Sequence, residues 1–142
     1  MNERKRNAAV AAIVLIVVPI ALLLLWRAWS GPGVLVSYTR SGGLAGITER
    51  MVVYRDGRVV YADNRDAEHE FTVSDRELSR VEETLADGNW PSEPTVYGRP
   101  TVADGFQHDL SYDGHIVRAY DEVRIEWLDR AIDAVGALRG DA

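Results

Sequence analysis

The residues best suited to metal or acid–base chemistry in this sequence are three histidines, His69, His108 and His115. None lies in an H-E-x-x-H pattern, which places two zinc ligands one helical turn apart. His108 and His115 fall on two strands predicted to pair, but their separation across the hairpin is too large for a chelate. We therefore expect a partly buried, hydrogen-bonded His108 and two surface histidines, with no metal and no cofactor.

Nucleophiles and carboxylates do not form a catalytic pattern either. No serine stands in a G-x-S-x-G turn, and the absence of cysteine excludes thiolate chemistry and disulfides. The acidic segment 63–70 lacks the spacing and central glycine of a calcium-binding loop. We expect that the protein is not an enzyme.

One short stretch, Ser41-Gly42-Gly43-Leu44-Ala45-Gly46, places a single large apolar side chain among three glycines. It matches neither G-x-G-x-x-G nor a P-loop, and no lysine follows it, so a phosphate cradle is not expected. Two interpretations remain. The glycines either form a tight connection that buries Leu44 in the core, or present Leu44 to a partner while letting backbone approach closely.

The net negative charge of the sequence bears on which classes of partner it can bind. From Ser30 onward the sequence carries 21 acidic residues and 12 arginines, a net charge of −9, and its only lysine is Lys5. Nucleic-acid binding requires basic side chains that neutralise phosphates. We therefore expect no nucleic-acid partner.

The N-terminal segment predicts a membrane anchor. Ala8 to Trp26 is uncharged and apolar over 19 residues, close to the length of about 20 that crosses a bilayer as a helix. Three basic residues precede the segment, so the positive-inside rule places the N-terminus in the cytoplasm. We assign 1–7 to a cytoplasmic tail, 8–29 to a transmembrane anchor, 30–33 to a linker and 34–142 to an extracytoplasmic domain.

A cleaved signal peptide is the alternative to this anchor. Its apolar core would be about 7–15 residues long and would end at a small-x-small site. The present segment is longer, and Trp26, Arg27 and Trp29 stand where cleavage would occur. These features favour an uncleaved anchor in the cell membrane, with the C-terminal domain outside.

Periodicity beyond the linker predicts an α+β fold. Alternating apolar residues and two Asp-Gly turns, at 56–57 and 113–114, are typical of antiparallel hairpins. The expected strands are 34–40, 48–55, 58–62, 71–73, 106–112 and 115–120, and the expected helices follow Ser74 and span 125–139. Residues 63–70 are expected to form a loop or an irregular edge of the sheet, and residues 90–105 an extended loop. We predict an antiparallel sheet with both helices packed on one face.

Several details follow from these elements. Ser74 and Glu77 form a capping-box pattern, and Asp109 faces Arg118 if 113–114 is a two-residue turn. A two-residue turn at 56–57 would place Arg55 opposite Arg58, whereas a bulged three-residue turn would not. The expected core residues are Val52, Leu78, Val81, Leu110, Val117, Leu128 and Ile132.

The stretch Ser41-Gly42-Gly43-Leu44-Ala45-Gly46-Ile47 resembles the S-G-G-[FL]-A-G-[IL] signature of the emfourin family. Its members are protein inhibitors of protealysin and other thermolysin-type zinc metallopeptidases. The resemblance extends over residues 35–138 through the order of hairpins, helices and a proline-bearing loop. The predicted anchor departs from the small soluble members and is similar to the membrane-anchored group of such chains.

The resemblance implies that Ser41, Gly42, Gly43, Leu44, Ala45 and Gly46 form a partner-binding loop. Thermolysin-type enzymes favour a bulky apolar side chain just after the cleaved bond, a position that Leu44 could occupy. We expect a membrane-anchored extracytoplasmic interaction domain whose role the residues alone do not assign, and the resemblance implies that it is a protein inhibitor of thermolysin-type metallopeptidases. The alternative is a structural module of the cell envelope with no inhibitory activity.

The assigned topology is testable with reporter fusions in the intact cell. Alkaline phosphatase fused after Ala142 should be active, because the C-terminus is expected outside the cytoplasm, and a fluorescent protein exported unfolded should be dark there. The reverse pattern would contradict the topology. A mature N-terminus near Ser30 would instead show that the apolar segment is cleaved.

Overall fold

The computed structural model describes residues 33–64, 68–100 and 105–141. The predicted tail, the anchor and residues 30–32 of the linker lie outside the described residues. Within the described part of the chain, no helix is both long and apolar enough to cross a membrane. The described residues from Val34 onward belong to one compact unit.

Seven strands and two α-helices make up this unit. The strands are β1 (Val34–Gly42), β2 (Ile47–Tyr54), β3 (Arg58–Asp63), β4 (His69–Thr72), β5 (Thr95–Tyr97), β6 (Phe106–Tyr112) and β7 (His115–Tyr120). The helices are α1 (Asp75–Ala86) and α2 (Glu126–Ala137), and a 3₁₀ turn (Leu138–Asp141) follows α2.

All seven strands form a single sheet in the order β4-β3-β2-β1-β6-β7-β5. Every neighbouring pair is antiparallel except β5 with β7, which is parallel. The predicted α+β class, the hairpins and the two helices are confirmed. The parallel edge strand was not expected from the sequence.

One apolar cluster joins both helices to one face of the sheet. In register across the sheet, Met51 of β2 faces Tyr38 of β1, and Leu110 of β6 faces Val117 of β7. The helices contribute Leu78, Val81, Leu85, Leu128, Ala131 and Val135 to the same cluster. Burial of this apolar surface is the main force that holds helices and sheet together.

Two of the predicted core residues need correction. Val52 is buried but lies outside the main cluster, because it alternates with Met51 and Val53 along β2 and so points to the other face of the sheet. Ile132 is only partly buried against the cluster.

The hairpin at 56–57 has a three-residue turn. Val53 pairs with Val59; β2 ends at Tyr54 and β3 begins at Arg58, so residues 55–57 form the turn. Gly57 adopts a φ of 86°, and its backbone N donates to Tyr54 O at 3.0 Å. Arg58 therefore avoids Arg55 and stacks its guanidinium over the Tyr54 ring at 3.7 Å.

The second hairpin has the predicted two-residue turn, because Tyr112 pairs with His115. Asp109 and Arg118 face each other as expected, with Nε and Oδ1 2.6 Å apart. The capping box of α1 is also present: Ser74 N donates to a Glu77 carboxylate oxygen at 2.7 Å, and Glu77 N donates back to Ser74 Oγ.

Both segments predicted to be irregular contain strand residues: 63–70 fits the alternative of a sheet edge, and the prediction of a continuous loop over 90–105 was wrong. Residues 63–70 include the end of β3 and the start of β4, which pairs with β3 from His69 to Thr72 rather than over 71–73. Residues 90–105 contain β5, whose three residues lie along β7. Both edge strands are short, and such strands are defined by pairing with a neighbour rather than by local pattern.

The helix-to-sheet core can be tested at Leu128, whose side chain is buried against the sheet. Leu128→Ala should lower the free energy of unfolding by about 2–5 kcal/mol, since it leaves a cavity that the sheet cannot close. Chemical denaturation followed by tryptophan fluorescence measures this change. Ile116→Ala, at an exposed position of β7, should change stability by less than about 0.5 kcal/mol. Equal effects at both positions would contradict the described core.

Candidate functional site

The glycine-rich stretch forms the connection between β1 and β2. Ser41 pairs with Thr48 and Gly42 with Ile47, so the first two residues of the predicted loop belong to β1. The remaining residues, 43–46, form a β-turn closed by Gly46 N donating to Gly43 O at 3.0 Å. Leu44 and Ala45 therefore occupy the two central positions of the turn.

Leu44 projects into solvent from this turn. Its side chain is 86% exposed, the largest value among the large apolar residues of the described chain. The interpretation that the loop buries Leu44 in the core is therefore wrong. An isolated exposed leucine is ordinary on a protein surface; this one differs because the backbone that carries it is held on both sides.

On one side, the loop is bound to the start of β6. Gly43 N donates to Gly105 O at 3.2 Å. A Cβ at Gly42, where φ is 127°, would lie 2.4 Å from Gly105 O, and a Cβ at Gly43 would lie 3.0 Å from the Phe106 ring. At Gly42 the neighbouring backbone passes too closely for a side chain, and at Gly43 the Phe106 ring leaves little room while φ is 73°, so both positions favour glycine.

On the other side, Asn64 at the end of β3 holds the last residue of the turn. Its Nδ2 donates to Gly46 O at 2.9 Å, and its backbone N donates to Thr48 O at 3.1 Å. Thr48 N in turn donates to Asn64 Oδ1 at 3.4 Å. The turn is therefore braced from both neighbouring strands, which limits the motion of Leu44.

Phe106 is the main support beneath the loop. The Arg40 guanidinium lies over its ring, 3.7 Å from the centroid, while Gly43 packs against its far edge. Its backbone is clamped by Asp121, which accepts from Phe106 N at 2.9 Å and donates its own N–H to Phe106 O at 3.1 Å.

Asp121 is itself held by a chain of hydrogen bonds that runs from the buried Tyr38 through the partly buried His108. His108 Nε2 lies 2.9 Å from Asp121 Oδ1, and His108 Nδ1 lies 2.9 Å from Tyr38 Oη. Burial raises the pKa of Tyr38 to about 12, so its hydroxyl stays protonated and can donate to Nδ1. Burial also raises the pKa of Asp121, but hydrogen bonds from His108 and Phe106 N outweigh it, so that pKa lies below its ordinary value. The ionised carboxylate then accepts from Nε2–H.

A second polar network crosses the helix side of the sheet. Glu49 of β2 accepts from Arg139 Nη1 at 2.9 Å and from Tyr61 Oη at 3.4 Å through the same oxygen. Its other oxygen lies 3.6 Å from Arg40 Nη1. Burial, followed by the nearby Glu49 charge, raises the pKa of Tyr61 to about 12. Arg139 therefore ties the C-terminal end of the chain to the strand that leaves the loop.

No protein-family model matches the sequence, and no curated protein matches it. The resemblance to the emfourin family therefore rests on the signature residues 41–47 and on the order of elements.

The histidine predictions are partly confirmed. His108 is partly buried and hydrogen-bonded, and His69 is exposed. His115 was expected on the surface, but it is partly buried, donates from Nδ1 to Pro91 O at 2.8 Å and stacks on Trp90. In the described ranges, no three histidine, aspartate or glutamate side chains are grouped to hold a metal ion.

Sequence reasoning identified the loop but missed the residues that support it. Phe106, Asp121 and Asn64 are separated from the loop by at least 18 residues. The one available signal was the pair of adjacent glycines, which indicates that another part of the backbone approaches closely.

The bracing of the loop predicts a sharp contrast between neighbouring substitutions. Gly42→Ala should lower the free energy of unfolding by about 1–3 kcal/mol, because it combines an unfavourable φ with a clash against Gly105 O. Leu44→Ala should change it by less than about 0.5 kcal/mol, because the side chain is in solvent. Thermal unfolding of the two variants beside wild type measures both. A destabilised Leu44→Ala would show that the leucine is buried.

Proposed function

We propose that the protein is a membrane-anchored, extracytoplasmic inhibitor of thermolysin-type metallopeptidases, and that the loop 41–46 is its binding element. In this proposal Leu44 enters the apolar pocket of the peptidase that normally receives the residue after the cleaved bond. Binding is reversible and forms no covalent bond.

The observation that carries the proposal is the exposure of Leu44 on a braced turn. Transfer of a leucine side chain from water to an apolar pocket is worth roughly 1.5–3 kcal/mol. Since Leu44 is 86% exposed in the free protein, nearly all of that gain is available on binding. A leucine already packed in the core would offer none of it.

Bracing of the loop adds to the expected affinity. Ordering a flexible loop on binding costs conformational entropy, and a loop already held in its bound shape avoids that cost. Here Gly43 is bonded to Gly105 and Gly46 to Asn64, so the turn is fixed before any partner arrives.

The turn is narrow because small residues flank Leu44, so it fits a cleft in a partner better than a flat surface. Leu44 is flanked by Gly43 and Ala45, and no other heavy atom lies within 4 Å of where a Cβ at Gly46 would stand. Such a tip can enter a narrow groove with its backbone close to the groove wall. This geometry is compatible with the zinc cleft of a thermolysin-type enzyme, which the resemblance of residues 41–47 suggests as the target.

The proposal is tested by adding the full chain, in a non-ionic detergent, to thermolysin-type peptidases and measuring peptide hydrolysis. Wild type should inhibit reversibly. Leu44→Ala should weaken inhibition about ten- to a hundredfold, the equivalent of the lost burial. Leu44→Asp should abolish inhibition, and Leu44→Phe should retain it.

Ile116→Ala is the matched control, because Ile116 is an exposed apolar residue on β7, away from the loop. It should inhibit like wild type, and every variant should keep the wild-type melting temperature. If wild type at tens of micromolar leaves several such peptidases fully active, the protein is not an inhibitor of this class. The non-inhibitory envelope module would then be the better description.

A further inference from the structure

A groove of about 360 Å³ lies beside the loop, between the sheet and helix α2. Its floor includes Tyr38, Arg40, Glu49 and Tyr61 from the strands, and its wall includes Ile132, Asp133 and Gly136 from α2. The groove is thus lined by charged, aromatic and small residues, and three features of it are not explained by the fold alone.

The first feature is that Arg40 has few partners. Its guanidinium makes one long ion pair, Nη1 to Glu49 Oε2 at 3.6 Å, and its buried Nε has no hydrogen-bond partner among the described residues. Glu49 is shared, because its other oxygen accepts from Arg139 and Tyr61. The Nε–H is buried and cannot be reached from the groove. The two Nη nitrogens carry four of the five N–H donors of an arginine and retain capacity for a further acceptor, and about a third of the side chain is exposed.

The second feature is Gly136 in the last turn of α2. Glycine is the weakest helix former after proline, and a crossing backbone or a packed side chain usually explains its presence. Here nothing lies within 4 Å of where its Cβ would be. No close contact in the unbound protein therefore requires a glycine here, and its missing side chain leaves the wall of the groove open.

The third feature is continuity with the loop. The Arg40 guanidinium covers one face of Phe106, and Gly43 packs on the edge of the same ring. A protein that holds Leu44 would therefore have its surface next to the mouth of the groove.

We propose that this groove is a second docking site, which receives an extended segment of the partner protein with one acidic side chain paired to Arg40. The inference rests on the proposed function, since the segment belongs to the protein that binds the loop. The acidic side chain pairs with the Nη end of Arg40, which makes only the one long ion pair with Glu49 among the described residues, in the planar geometry that favours arginine–carboxylate pairing.

Asp133 on the α2 wall restricts what can accompany that acidic residue. It makes no ion pair among the described residues, so it would repel a second carboxylate and attract a basic or N–H-rich neighbour. Arg50 and Arg139 also line the groove, so the segment that fits has an acidic residue at Arg40 and a neutral or basic residue beside Asp133. This preference would add selectivity to the apolar contact made by Leu44.

Gly136 offers a test in which fold and binding respond in opposite directions. Gly136→Leu should raise the melting temperature, because leucine is a far better helix former, and it should block the groove. Gly136→Ala should also stabilise α2 but leave the groove largely open, which makes it the matched control. Arg40→Gln removes the charge that pairs with the acidic side chain.

The first arm uses a peptide probe and needs no peptidase. The full chain in non-ionic detergent is titrated with acetyl-Gly-Asp-Gly-amide while the Arg40 Nε–Hε and Gly136 amide signals are followed by NMR. Both signals should shift and saturate, and the Asn analogue should bind about tenfold more weakly, because it lacks the charge-assisted pair. Arg40→Gln should lose the response at the Gly136 amide, Gly136→Leu should lose it at the Arg40 Nε–Hε, and Gly136→Ala should keep it at the Arg40 Nε–Hε. No shift at these two signals, or equal binding of the Asn analogue, would overturn the groove site.

The second arm repeats the inhibition assay with the same variants. Gly136→Leu should inhibit about tenfold more weakly than Gly136→Ala, although both variants should be more stable than wild type. If Leu44→Asp abolishes inhibition while Gly136→Leu inhibits like wild type, the loop function stands and the groove proposal is wrong. If wild type inhibits nothing, the proposed function fails, and the peptide titration still decides the groove.

Discussion

The packing of Phe106 between Gly43 and Arg40 is the interaction on which the rest of the site depends. One edge of the ring requires a residue without a side chain at 43, and one face orients the Arg40 guanidinium at the groove. The ring is itself fixed, since Asp121 bonds both backbone groups of Phe106. A displacement of this ring would alter the turn that carries Leu44 and the floor of the groove together.

Polar residues around Phe106 have a positioning role in this account. Tyr38, His108 and Asp121 form a chain of hydrogen bonds that ends on the Phe106 backbone, beneath the loop. The arrangement superficially resembles an acid–base relay. However, burial keeps Tyr38 protonated and hydrogen bonding keeps Asp121 ionised, so each group is satisfied as a fixed donor or acceptor. Fully satisfied hydrogen-bond networks of this kind rigidify the backbone to which they bond.

The local parts of the fold could be predicted from the sequence, and the long-range parts could not. Asp-Gly turns and the Ser74–Glu77 capping box signal their structures within four or five residues, and both are present as expected. Strand β5 was missed because its three residues are defined only by pairing with β7. The loop was identified, but the exposure of Leu44 depends on β1 pairing through to Gly42, which pushes the turn outward. The groove could not be predicted, because its lining combines strands with helix α2, which lies far away in the sequence. The contact between Arg139 and Glu49, for example, spans 90 residues.

Site-specific photocrosslinking in intact cells tests whether Leu44 contacts a peptidase outside the cytoplasm, as proposed. A benzophenone amino acid is incorporated at position 44 of the full chain, and at position 116 as the control, and crosslinked proteins are identified by mass spectrometry. The account predicts a covalent product with a thermolysin-type zinc peptidase from position 44 and none from position 116. The same products from both positions, or products from position 44 that contain no peptidase, would contradict it.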